Sequence, residues 1–190
     1  MGHDTRTQPW FMLSGWMGNL IQVSGLLCGL TLVRRSARVP GAWGPRLLLA
    51  GWLVTYFCNH AIAHWVVGRL GGIRFVGYGV HGTTSPSWYP PGVRWMFQHL
   101  PLLSARADPG SLRAAHPSAR LAMYLAAPVF TLLTGLGIPL YGHAKRIAQS
   151  RALLIGASLW FTPMIIVEAI RQGGDLYRAL RELRQLADRT

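Results

Sequence analysis

Four apolar runs of roughly 20 residues constrain this chain more than any other feature. They extend from Trp10 to Val33, Leu47 to Gly68, Leu121 to Tyr141 and Ala152 to Ile170. About 20 apolar residues are what an α-helix needs to cross the hydrocarbon core of a bilayer. Within lipid, only helices and closed barrels satisfy their own backbone. The composition agrees, because 13% of the residues are charged, against about 25% in a typical soluble domain. The pattern predicts an all-α, multi-pass integral membrane protein with about four spans, forming one membrane domain over residues 1–190. The first run is too long for a signal-peptide core and no small-x-small cleavage site follows it, so it reads as a retained anchor.

The formal net charge is +13, from 19 Lys and Arg against 6 Asp and Glu. The basic residues flank the apolar runs, where they would meet anionic head groups. A bilayer containing anionic lipids is therefore the expected partner, nucleic acid is not, and a bacterial plasma membrane is the expected location. Charge does not fix the orientation. Arg34, Arg35, Arg38 and Arg46 crowd one short loop, and Lys145, Arg146 and Arg151 another, but the long loop 69–120 and the tail carry more Arg in total.

Within the first run, Ser14, Gly18, Gly25 and Gly29 share a stripe, with Gly25 and Gly29 forming a GxxxG. Such a stripe lets helix backbones approach closely, either within the chain or against a membrane-protein partner. Cys28 and Cys58 both fall within apolar runs and read as buried free thiols, bridged only if their helices touch. After the second run, "RLGGIRFVGYGV" suits a short strand or hairpin at the membrane surface. The rest of the long loop is rich in Pro and turn residues, and Trp88, Tyr89 and Trp95 suit the head-group belt. The tail 175–188 repeats leucine at positions 176, 180, 183 and 186 opposite Arg178, Arg181 and Arg184. It reads as an amphipathic helix on the membrane surface, with Asp175 as its cap.

The second run holds "FCNHAIAHWVVG", in which His60 and His64 are four residues apart. That spacing puts both imidazoles on one helical face, about 6 Å apart, as in helical zinc sites. A third ligand is needed, and the fourth run offers Glu168 in "FTPMIIVEAIRQ". A carboxylate at such depth is costly and is by default functional. Four consecutive spans would run the second and fourth parallel, which brings His60, His64 and Glu168 to similar depth. The expected site is thus a metal centre of His60, His64 and Glu168, with zinc as the metal. The alternatives are packing histidines bonded to Tyr56, Asn59 or carbonyls, haem ligation, and for Glu168 a pairing with Arg171. His81, His99, His116 and His143 lack metal-type spacing and read as surface residues. A diiron site would need further histidine clusters.

"HAIAHWVVGRLGGIRFVGYGV" resembles the zinc-binding helix and following strand of the site-2 protease family, the intramembrane zinc metalloproteases. "LAMYLAAPVFTLL" is similar to that family's Ala-Gly-Pro-x-x-Asn region, with Ala127 and Pro128 at Gly-Pro and Thr131 at Asn. The fourth run resembles its Asn-x-x-Pro-x-x-x-x-Asp-Gly motif, with Trp160, Pro163, Glu168 and Ala169 at Asn, Pro, Asp and Gly. The resemblance covers roughly residues 50–185 and implies a three-helix protease-like core. It departs where the chemistry matters. The family's HExxH glutamate is the general base, and Ala61 stands in its place. Zinc could still lower the pKa of a bound water to about 7, but no residue there would pass a proton to the leaving amine, help worth about 10²–10⁴-fold. The resemblance therefore implies a degenerate, non-proteolytic, zinc-binding scaffold or binding subunit. The alternative is an active intramembrane zinc protease that uses another base, Glu168 or Asp175.

Overall fold

The computed structural model describes residues 8–82 and 91–188; Trp88 and Tyr89, assigned above to the head-group belt, lie outside the described residues. The chain is mostly helical, and the apolar runs become long helices. These are α1 (Gly15–Ser36), α2 (Trp43–Leu70), α5 (Pro117–Ala144) and α6 (Ser150–Ile170). Three of them, α1, α5 and α6, are long and apolar enough to cross a membrane. Their outward side chains, such as Leu27 and Leu30 on α1, Leu133 on α5 and Leu159 on α6, stay exposed, as suits lipid rather than water. The intervening segment folds as β2 (Phe75–His81), α3 (Pro91–His99), β3 (Leu102–Ala107) and α4 (Pro109–Ala114), and the tail forms α7 (Asp175–Ala187).

The first run begins with a strand, β1 (Phe11–Leu13), before the helix starts. β1, β2 and β3 form one antiparallel sheet in that order, with Phe11 opposite Val80 and Val80 opposite Leu103. Because β1 leads into α1 and β2 follows α2, the sheet sits at one end of the helices. Tyr78 roots it there. Its ring is fully buried, stacked on Trp65 and laid against Gly18, and its hydroxyl donates to Asn19 Oδ1 at 2.6 Å.

α2 lies between α1 and α5, and glycine makes the first contact close. A Cβ on Gly51 would stand 2.7 Å from the Gly29 carbonyl oxygen, and one on Gly29 would be 3.0 Å from the Gly51 oxygen. Gly25 faces Cys58 in the same seam, so Gly25 and Gly29 pack against α2 of the same chain, while Gly18 packs against Tyr78. The helices touch, yet both cysteines are free; Cys58 is partly buried, whereas Cys28, expected inside, lies exposed on the outer face of α1.

Proline shapes α5. Pro139 has no N–H to donate to the carbonyl four residues back, and Trp52 Nε1–H of α2 donates to that Gly135 oxygen at 2.7 Å. α7 packs on α5 through Ala179 and Glu182, both 2% exposed, and Glu182 pairs with Arg120 at 2.7 Å. Leu180 and Leu183 point outward. The face that α7 buries in the protein is thus its small and acidic one, because Ala179 allows close approach and Arg120 neutralises the acid.

Candidate metal centre

His60 and His64 project from the second half of α2 towards α5 and the start of α7, one turn apart as their spacing requires. Both Nε2 atoms converge on a single oxygen, Asp175 Oδ2, at 3.2 and 3.0 Å. The ligand atoms of the three residues lie within 4.8 Å of one another, a group that could hold a metal ion.

Hydrogen bonds fix which imidazole nitrogen faces the centre. His64 Nδ1 lies 2.8 Å from the Met123 carbonyl, which only accepts, so Nδ1 carries the proton. This carbonyl is next to the one that Pro128 leaves without its helical donor. His60 is set by a longer relay. Thr134 donates to the Phe130 carbonyl at 2.8 Å and so accepts from Asn59 Nδ2 at 2.6 Å. Asn59 Oδ1 then accepts the Thr131 hydroxyl at 2.9 Å, which leaves the Thr131 oxygen to accept from His60 Nδ1 at 3.3 Å. Both histidines therefore turn an Nε2 lone pair toward Asp175 when neutral. Such partners on the second nitrogen are the usual companions of metal-ligating histidine.

Two lone pairs and a carboxylate around one point repel unless a proton or a metal cation stands among them. Burial alone would raise the Asp175 carboxyl. Charge on His64 and hydrogen bonds from both imidazoles outweigh that and hold the carboxyl well below the usual carboxylate range. Asp175 is thus an anion, and each Nε2 donates to it only while that imidazole carries a proton on both nitrogens.

Glu168, expected as the third ligand, has a different place. Its Oε2 accepts the Asp175 backbone N–H at 2.8 Å, and its Oε1 meets Arg171 at 3.4 Å. Asp175, expected as a helix cap, makes no side-chain cap bond; Gly174 holds the cap position. The two acids lie in the reverse of the expected places, and the turn between α6 and α7 explains it. The chain reverses at Gly173–Gly174 so tightly that a Cβ on Gly174 would meet the Glu168 backbone. Glu168 then faces the first amide of α7, and the side chain of Asp175 is thrown back onto α2. The Gly-Gly pair before an acid was the available sequence signal.

The three residues sit in a cleft of about 440 Å³, which Ala61, Glu168 and Thr131 also line. Ala61 is 2% exposed and brings no polar group to it. Among the remaining histidines, His81 is bonded within the sheet to Ser104 Oγ at 2.9 Å, and His116 caps α5. Comparison of the chain with protein-family models, with curated proteins and with solved structures found no match.

Proposed function

We propose that the chain is a four-span protein of a bacterial plasma membrane that holds one zinc ion on His60, His64 and Asp175. It then serves as a non-proteolytic binding or scaffold subunit built on a site-2-protease-like core. The carrying observation is the convergence of two imidazole Nε2 atoms on one carboxylate oxygen. Zinc bound at about 2.0–2.1 Å in a tetrahedron has ligand atoms about 3.3 Å apart, and the two measured separations are 3.0 and 3.2 Å. The third separation, between the two Nε2 atoms, is within 4.8 Å, so side-chain adjustment would bring all three atoms onto one ion. Two histidines, a carboxylate and one open position form a familiar zinc donor set. α2 counts as the fourth span in this reading. At about 1.5 Å per residue its 28 residues are long enough, and three polar groups that lower its hydropathy, Asn59, His60 and His64, bond to α5.

The absence of proteolysis follows from Ala61, which leaves no base on α2 beside the ion. The reading of the chain as an active protease is favoured by one observation, that Glu168 lines the same cleft. Its two oxygens are already engaged by the Asp175 amide and Arg171, which favours a supporting role for it. The outer partner is the bilayer. Exposed Arg34, Arg35, Arg38, Arg46, Lys145, Arg146 and Arg151 gather at the end opposite the sheet, where Ile147 packs with Val33 and Leu48 and joins the two basic loops.

Elemental analysis of protein purified in detergent tests the metal. About one zinc per chain is expected, lost in His64→Ala and Asp175→Ala and kept in Glu168→Gln. Metal-free wild type after zinc dialysis would refute the site, and loss of zinc in Glu168→Gln with retention in Asp175→Ala would restore Glu168 as the ligand.

A further inference from the structure

The wall of the cleft is cationic. Arg106, Arg171 and Arg178 line it against two carboxylates, Glu168 and Asp175. Glu168 is occupied by Arg171, and Asp175 by the two imidazoles. Arg178 stands apart. It is half-buried, one turn after Asp175 on α7, with its guanidinium 5.8 Å from the centroid of the Tyr124 ring. Among the described residues it makes no ion pair. Stacking over an aromatic ring steadies the plane of a guanidinium and leaves its N–H fork free for a planar anion.

A divalent ion held by two neutral imidazoles and one carboxylate would leave the centre with a net charge of about +1 and an open position. Arg178 adds a second positive charge on the same wall, close enough to act on His64. Two unneutralised cations sharing a partly desolvated cleft are costly, and an anion between them removes that cost. Apolar groups complete the lining, among them Phe57, Phe75, Leu102 and Leu103. The volume of about 440 Å³ falls within the range of small-ligand sites, about 300–1,000 Å³.

We infer that the cleft binds a carboxylate with an apolar body, its head shared between the open metal position and the Arg178 guanidinium. This rests on the zinc reading above. A free apolar acid and the C-terminus of an apolar peptide present the same chemistry.

The test uses cobalt-substituted full-length protein in detergent and follows its visible absorption. Isovalerate and N-acetyl-Leu-Leu should each perturb the cobalt bands saturably, while isovaleramide and the peptide amide should not. Tighter binding of the peptide acid would identify a chain terminus as the ligand, and tighter binding of isovalerate a free acid. Arg178→Gln should keep the cobalt spectrum and weaken acid binding by about tenfold to a hundredfold, the loss expected for a charge-assisted contact. Arg178→Lys should recover part of the affinity, and it carries the test if the glutamine variant fails to fold. Failure to take up cobalt would overturn the zinc reading. Cobalt uptake with acid and amide bound alike, or with acid binding unchanged in both Arg178 variants, would overturn this inference and leave the zinc reading standing.

Discussion

The Arg120–Glu182 pair decides whether α7 stays on α5, and its two halves should not cost the same to remove. Glu182 is 2% exposed, and without Arg120 its carboxylate would keep only Arg181 at 3.7 Å. The Arg181 side chain is 59% exposed, so that contact contributes at most about 1 kcal/mol. Arg120→Met therefore strands a buried charge, at about 3–5 kcal/mol. Glu182→Gln is milder. Arg120 retains the Ala115 carbonyl at 2.8 Å and the Arg113 carbonyl at 3.3 Å, and the amide oxygen can still accept, which leaves a cost of about 1–3 kcal/mol. The double variant Arg120→Met/Glu182→Leu removes both charges and should regain most of the stability. Asp175 lies seven residues before Glu182, about 10 Å along the helix, so loosening α7 should also release zinc. Reversible unfolding in mixed micelles, followed by circular dichroism, gives the three stabilities, and zinc content is measured on the same samples. Equal single-variant costs below about 1 kcal/mol would refute the reasoning about burial. Full zinc retention in an Arg120→Met protein whose α7 has detached would refute the role of α7 in presenting Asp175.

Three further outcomes are expected. Gly29→Leu forces the backbones of α1 and α2 apart at Gly51 and should destabilise by about 1–3 kcal/mol in the same unfolding assay; a neutral result would mean the seam is looser than its 3.0 Å approach implies. Wild type should cleave a reporter membrane substrate no faster than His60→Ala, whereas Ala61→Glu should gain metal-dependent cleavage of up to about 10²–10⁴-fold; chelator-sensitive cleavage by wild type would instead revive the active-protease reading. Neutralising Arg34, Arg35, Arg38 and Arg46 to glutamine should reduce retention of phosphatidylglycerol over phosphatidylcholine in mixed-lipid nanodiscs, at about 1 kcal/mol per charge, and unchanged lipid ratios would remove anionic lipid as the partner at that end.

The long helices were legible because length and apolarity alone specify them. The strands were not equally so. Phe11–Leu13 is apolar and runs straight into α1, so nothing local separates it from a helix start; its pairing with Tyr78 to Val80 makes it a strand. "LLSARA" in β3 has no clean alternation, and it too is set by its partner, β2. The histidine pair was legible from an i, i+4 spacing. Its third member was not, because depth counted along a straight span puts Glu168 beside the histidines and stops at Ile170, where α6 ends. The four-residue reversal that follows, 171–174, is a tertiary event, and it places Asp175 against the histidines.

Polar groups inside an apolar bundle are informative through what remains after hydrogen bonding is counted. Most in this molecule are spoken for: Trp52 by the carbonyl that Pro139 frees, and Asn59, Thr131 and Thr134 by one another. Gln22 Oε1, an amide acceptor, and Thr55 Oγ1, a hydroxyl that can donate and accept, are buried without partners, each at a desolvation cost of about 1–3 kcal/mol. The cluster differs in kind. There, when both imidazoles are neutral, the hydrogen bonds that are made force three further acceptors, two imidazole lone pairs and a carboxylate, to face one another. Adding a hydrogen-bond donor elsewhere cannot relieve that arrangement; only a cation at its centre can. The three ligand atoms form a group that could hold a metal ion. The sequence supplied the two imidazoles; the relay through Thr134, Asn59 and Thr131 turns that of His60 toward Asp175, and the Met123 carbonyl turns that of His64.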